Sequence, residues 1–411
     1  MANACLQLVA IGLIGTIILT GMLPPIRSGL RVMLLLLAAF AAVMLLQLVP
    51  LPYPVWSALP GRAPIVDAFA LAGAGMPWLP VSLTPDATIA TMLSLLPATA
   101  IVLATTIAPP AGRRDTIVVL VGFALVSVLL GCLQRAGGIA SPLYAYANTN
   151  RGSAVGLFAN RNHLGTLTLC TLPFVAALAR HYSSTAHRLV ASVVGLVIAG
   201  GPLLTGSRAA IGLLVPTLVG CAALLLHGTR ISVATRWLSL GVAASLVAAV
   251  ALASMSHDRG EDPARSQHRG AILSLTLLAV RDHLPLGSGG GSFTTVYPRY
   301  EYPAAVTPEY TNHAHDDYAE TLLEFGIPGA LVIIAVVAAW LRRTWAVWAI
   351  PGKNNDHARA GAVAIGAILA HSLVDYPLRT AAIGAVAGLA AALLATPGAG
   401  TSDLDRYGAP A

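Results

Sequence analysis

The chain has 411 residues, of which 56% are hydrophobic and only 10% charged, and its mean hydropathy is +0.75. A soluble domain carries about 25% charged residues, so a soluble globular enzyme, a disordered chain and a fibrous protein are excluded and a polytopic membrane protein remains. Lys+Arg 24 against Asp+Glu 17 gives +7; in so apolar a chain that excess reflects loops held at the cytoplasmic leaflet, not nucleic-acid binding.

A bilayer core takes about 20 apolar residues per helix. Eleven segments fit: 4–23, 30–50, 87–108, 116–133, 163–180, 189–205, 209–227, 237–256, 319–341, 358–376 and 380–396. The predicted fold is therefore all-α, a transmembrane bundle of about eleven helices. The first segment reads as a span and not a signal peptide, since it lacks a basic start and runs into Pro24 and Pro25 without a cleavage site. Residues 1–256 hold eight spans, 257–318 form one larger loop with short helices, 319–396 hold three more spans, and 397–411 make a flexible tail.

Orientation follows from basic residues in short loops. Arg27, Arg31, Arg113, Arg114, Arg180, Arg188, Arg230, Arg236, Arg342, Arg343, Lys353, Arg359 and Arg406 alternate onto one side, which is expected to be cytoplasmic. The N-terminus is then outside and the C-terminus inside. The other side receives the loops 51–86, 134–162 and 257–318, with most of the acidic residues. Of these, 257–318 alone has the makings of a small extramembrane unit. Within it Arg269 to His283 reads as an amphipathic helix with Ile272, Leu275, Thr276 and Ala279 on one face, ended by Pro285 and the glycine run 287–291. That run lacks the Gly-Lys-Ser/Thr ending of a P-loop and reads as a backbone turn. Cys5, Cys132, Cys170 and Cys221 all lie in apolar stretches without CxxC spacing, so no disulfide framework or zinc knuckle is indicated.

Five histidines (His257, His268, His283, His313 and His315) and five arginines (Arg259, Arg265, Arg269, Arg281 and Arg299) lie in or beside this loop. Histidine accepts protons near neutral pH, and arginine binds phosphate bidentately. Together they suit a substrate carrying a phosphate and a hydroxyl to be deprotonated, although loop residues of these types are often merely solvated. Arg208 stands apart: it occupies a tight turn between two apolar segments, where a charge is expensive and tends to be functional. His313 and His315 sit at the mouth of segment nine, with Asp316 and Asp317 next to them and Glu320 and Glu324 one turn apart beyond. The spacing does not specify a metal site. His371 and Asp375, four apart, are expected to share a helix face as a structural pair or a site wall. Asn160 and Asn162 would bind sugar hydroxyls or cap the following helix.

Four stretches resemble the O-antigen ligase and Wzy-type polymerase superfamily of bacterial surface-polysaccharide assembly. Gly156 to His163 looks like the family's G-F-x-N-x-N lead into a central helix, and Thr205-Gly206-Ser207-Arg208 like its T-x-S-R turn. Arg269 followed by Pro285-Leu286-Gly287 and Gly289 resembles the loop arginine and P-x-G-x-G. His315, Asp316, nine residues, then Gly326 and Gly329 resemble the ligase signature ending in G-x-x-G. Pro50-Leu51-Pro52, Ser82 to Pro85 and the His371–Arg379 stretch look like a bacterial subgroup of the family. The chain departs from the pattern at Asp316, where ligases carry Asn, Ser or Gln, and has eleven helices against twelve.

The resemblance implies a glycosyltransferase at the periplasmic face of the bacterial inner membrane, needing no cofactor and no metal. The donor would be an undecaprenyl-diphosphate-linked glycan, and the acceptor a lipid A core or a growing glycan. Carried over residue by residue, the basic trio maps to Arg208, Arg269 and His315, while Asn160, Asn162, Arg299, His313, His371 and Asp375 are candidate substrate-binding residues. His315 rather than His313 is expected to accept the proton, helped by a neighbouring Asp316 or Asp317. A ligase, a repeat-unit polymerase, transfer to a protein serine, and a polysaccharide or lipid transporter are the alternatives.

Overall fold

A computed structural model describes residues 2–22, 28–228, 263–303 and 310–396, with the side chains of 263–268 left undescribed. The helices in chain order are α1 (Ala2–Leu19), α2 (Ser28–Gln47), α3 (Tyr53–Ser57), α4 (Ala63–Leu71), α5 (Pro85–Leu93), α6 (Leu95–Ile107), α7 (Pro110–Ala136), α8 (Arg161–His181), α9 (Thr185–Thr205) and α10 (Arg208–Leu226). They continue with α11 (Pro263–His283), α12 (Phe293–Val296), α13 (Asp317–Ala349), α14 (Asp356–His371) and α15 (Ala381–Ala395). Ten of the eleven expected segments coincide with helices; the eighth, 237–256, lies outside the described residues, as do the tail 397–411 and the side chains of His257, Arg259, Arg265 and His268. Among the described residues, seven helical stretches are long and apolar enough to cross a membrane. The protein is an all-α, multi-pass membrane protein.

The bundle is built around α8, which is buried on nearly every side. Its threonines remain compatible with burial because each hydroxyl donates to its own helix: Thr166 to Asn162, Thr168 to Gly165 and Thr171 to Leu167. Small residues let neighbours approach closely. Gly165 faces Ala210 of α10, and Gly201 of α9 faces Thr168. The chain between α9 and α10 reverses through Gly206 at φ +63°, and the Ser207 hydroxyl then caps α10 by accepting from the Ala210 N–H at 3.3 Å.

On the acidic side the expected division of loops needs correcting. The loop 51–86 is structured too, and it packs against the end of α11 and the glycine run that follows it. Pro50–Leu51 pairs antiparallel with Leu79–Pro80, and the Leu83 N–H donates to Ser288 of the glycine run at 2.8 Å. A proline-rich segment offers few donors, so its pairing is short and its partner comes from elsewhere in the chain. The amphipathic face of α11 does bury Ile272, Leu275, Thr276 and Ala279, against Phe293, Val296, Tyr297, Ala314 and Leu323.

The glycine run has a further task besides turning. Helix α13 is kinked at Gly326 (φ 59°, ψ −149°), which frees carbonyls in the turn before it. Ser288 and Gly289 N–H groups donate to the Leu323 and Glu324 carbonyls at 2.9 and 2.8 Å, and the Ile327 N–H donates to Pro285. A Cβ at Gly287 would lie 2.5 Å from the Glu324 carbonyl oxygen, so only glycine allows this approach.

Candidate active site

The start of α13 and the turn after α14 face each other and gather most of the buried charge at this end. Asp316 caps α13, accepting from the Tyr318 and Ala319 N–H groups at 2.9 Å each. Asp317 accepts from the Ser372 hydroxyl at 2.8 Å. Neither reaches the imidazole of His315, as the sequence suggested one of them would. That role falls to Asp375, whose Oδ1 lies 3.2 Å from His315 Nδ1.

Asp375 reaches it because α14 stops at His371, earlier than the apolar stretch suggests. Pro377 disfavours helix at Tyr376, and the chain tightens through residues 372–376. His371 and Asp375 therefore do not share a helix face, which corrects that expectation. His371 points into the bundle, its Nδ1 2.8 Å from the Thr166 hydroxyl. Asp375 is fully buried, and its Oδ2 has no partner among the described residues.

His315 adopts φ 54°, a left-handed conformation seen in no other non-glycine residue described. Such a conformation costs about 1–3 kcal/mol and persists where surrounding structure over-determines it. Here the Asp316 cap on one side and the Asp375 contact on the other hold it. The carboxylate fixes the proton on Nδ1, which leaves Nε2 as the free base. His315 keeps 22% of its side chain exposed, whereas Asp375 is buried.

His313 is held differently. Its Nδ1 lies 2.8 Å from Glu320 Oε1, while Glu320 Oε2 accepts from the Ala314 N–H. Glu320 is also 3.3 Å from Arg379 Nη1, which lies 2.8 Å from Glu324 as well, with Asp317 3.7 Å from Arg379 Nε. Burial works against the Arg379 charge, but Glu320, Glu324 and Asp317 raise its pKa above the ordinary arginine value. Glu320 is thus largely neutralised, whereas Asp375 faces His315 without an arginine ion pair among the described residues. The Tyr376 ring lies against both histidines, with centroids 4.1 Å from His313 and 5.1 Å from His315. Because His313 and His315 turn to separate carboxylates, the His-x-His pair does not converge, and no metal-binding group of three His, Cys, Asp or Glu is found among the described residues.

The remaining candidates divide. Asn160 caps α8, accepting from the Asn162 N–H at 2.9 Å, and its amide donates to the Tyr376 hydroxyl at 3.3 Å. Asn162 is buried in the first turn of α8. Arg269 is exposed on α11, and its positive charge acts on His371, which places it beside the cluster. Arg208 is exposed at the first position of α10, next to the first turns of α8. Arg299 belongs elsewhere: its charge acts on Arg62 and His283.

Sequence reasoning missed Arg379 as the organiser of the carboxylates. The signal was present, since Arg379 is a charge in a short turn between two apolar helices, the criterion that singled out Arg208.

Residues 191–334 match the family model described as O-antigen ligase. Over this stretch the chain is similar to the O-antigen ligase family. The stretch contains Arg208, Arg269, His313, His315, Glu320, Gly326 and Gly329, while His371, Asp375 and Arg379 lie beyond its end. No curated protein matches the chain. The match agrees with the resemblance read from the motifs and supports an enzyme role in the membrane.

Proposed function

We propose that this protein transfers a glycan from undecaprenyl diphosphate to a hydroxyl of lipid A core, at the periplasmic face of the bacterial inner membrane. The observation that carries this reading is the His315–Asp375 pair, held in a left-handed backbone at the rim of the membrane bundle. His315 Nε2 takes the proton of the acceptor hydroxyl, and Asp375 stabilises the imidazolium that forms. The acceptor oxygen bonds to the anomeric carbon as the bond to the diphosphate breaks. The electron pair leaves with undecaprenyl diphosphate, whose developing charge is stabilised by Arg208 and Arg269. The donor carries its own activation, so no nucleotide sugar enters. The basic loops support the orientation, since they put the opposite end in the cytoplasm.

Asp316 supports a second reading, a Wzy-type polymerase that transfers to the next lipid-linked repeat unit, because ligases carry Asn, Ser or Gln there. Against weighting it heavily, Asp316 serves as a helix cap, a role that Asn and Ser fill as well. The purified protein, reconstituted with a lipid-linked glycan donor and offered lipid A core, should form a glycan–lipid A product. Chain growth on the lipid carrier instead makes it a polymerase, and no transfer to any offered acceptor sinks both readings.

A further inference from the structure

Away from the His315 cluster, the loop 51–86 buries a second group of basic side chains. Arg62, at the start of α4, is 1% exposed, although α4 itself buries no side chain. Its Nη2 donates to the Val81 carbonyl. Its guanidinium carbon stands 5.5 Å from the centroid of the Trp56 ring, and Trp56 is itself fixed by donating to the Pro80 carbonyl at 2.7 Å. Arg62 Nε and Nη1, however, find no partner among the described residues.

His283, 3% exposed at the end of α11, lies against the same turn. Its Nδ1–H donates to the Ala279 carbonyl at 2.8 Å. That bond turns Nε2 towards Gly61, where an added Cβ would stand 2.6 Å from it. This Nε2 is buried without a partner as well. Arg299, exposed nearby, acts electrostatically on both groups. The carboxylate acting on His283, Asp282, is engaged by the Tyr300 hydroxyl at 3.1 Å. Burial, and after it the charge of Arg299, lowers the Arg62 pKa to about 10. Burial likewise lowers that of His283.

Buried N–H groups are almost always hydrogen-bonded, and a buried guanidinium needs a counter-charge. The open guanidinium nitrogens match the anionic oxygens of a phosphate group, and His283 Nε2, whose ring proton sits on Nδ1, accepts from the P–OH of a singly ionised phosphate monoester. The surroundings indicate where that phosphate comes from. The segment from Ala63 to Met76 is apolar apart from Asp67, buries none of its side chains, and is followed by Trp78 at 65% exposed. Such a segment, joined to spans on both sides, lies at the level of lipid headgroups.

The geometry points to a phosphate-binding site, formed by Arg62, His283 and Arg299, for the headgroup phosphate of a membrane lipid. It is separate from the transfer site and does not depend on the transfer reading.

The test uses the full chain, purified in neutral detergent and stripped of lipid, with three probes: dioctanoyl phosphatidic acid, dioctanoylglycerol and inorganic phosphate. The phosphatidic acid should bind saturably and raise the melting temperature, and dioctanoylglycerol should do neither. Inorganic phosphate should compete only at concentrations at least about tenfold higher, since it lacks the chains that the interface holds. Arg299→Gln, an exposed change that spares the fold, should weaken binding about tenfold or more; Arg62→Gln should abolish it. If Arg62→Gln does not fold, Arg299→Gln and His283→Gln decide. His315→Ala should bind as the wild type does, which keeps this site distinguishable from the transfer cluster. Unchanged binding in the Arg299 and His283 variants overturns the site. Equal affinity for inorganic phosphate overturns the lipid headgroup as its ligand.

Discussion

The two ends of the bundle use arginine in opposite ways. At the basic end, guanidinium groups close helix C-termini by donating to main-chain carbonyls. Arg180 reaches Leu224, Leu225 and His227, Arg343 reaches Leu394 and Ala395, Arg113 reaches Thr105, Thr106 and Thr396, and Arg359 reaches Val347, Ile350 and Gly352. Carbonyls at a helix end lack helical N–H partners, and a cation there also complements the helix dipole. At the other end, Arg379 is bound to carboxylates, Arg208 and Arg269 are exposed, and a histidine sits in a strained backbone. A positive charge at the basic end stabilises the fold. At the opposite end Arg379 serves carboxylates and Arg135 closes α9 on the Leu204 carbonyl, while Arg208 and Arg269 keep exposed side chains. Counting arginines by topology alone does not separate the two uses.

That contrast can be broken most sharply at His315. His315→Ala should lower transfer by about 100- to 10,000-fold, the usual loss for a general base, with the protein still folded. His313→Ala should lose much less, because its carboxylate partner is already shared with Arg379. A dead His313→Ala beside an active His315→Ala would reverse the assignment. Next come the exposed arginines. Arg208→Ala and Arg269→Ala should each cost about 100-fold, in the range for losing a donor to developing charge, and lysine should restore only part. Steady-state rates with a lipid-linked donor measure this, and full activity in Arg208→Ala removes it from the site.

The basic end should respond in stability and not in rate. Asp356 binds Arg180 Nε and Arg359 Nη1, each at 2.8 Å, and all three are almost wholly buried. Asp356→Asn should therefore destabilise the fold by about 3–5 kcal/mol, the range for stranding a buried ion partner. The fraction that remains folded should keep its turnover number; a fall in that number would tie the basic end to chemistry. The smallest effect is expected at Asp316. Asp316→Ala should cost about 0.5–2 kcal/mol as a lost cap, while Asp316→Asn should be nearly neutral in melting temperature. A change of acceptor in Asp316→Asn would give this residue a role in specificity beyond the cap.

Much of this was legible without coordinates. Hydropathy and length are local properties, so ten helical segments and the buried face of α11 followed from the order of residues alone. The short motifs at Arg208, Arg269 and His315 led to the family that residues 191–334 match. What the order of residues left open was which partner each side chain takes. Asp316 and Asp317 are neighbours of His315 in the chain, yet Asp375, sixty residues on, is its partner in space. The glycine run looked like a turn, but its N–H groups fill the carbonyls freed by the Gly326 kink. Spans are decided by the solvent each segment must match, which sequence records residue by residue. Hydrogen-bond partners are decided by where helices end and how closely they pack, and only the tertiary structure determines that.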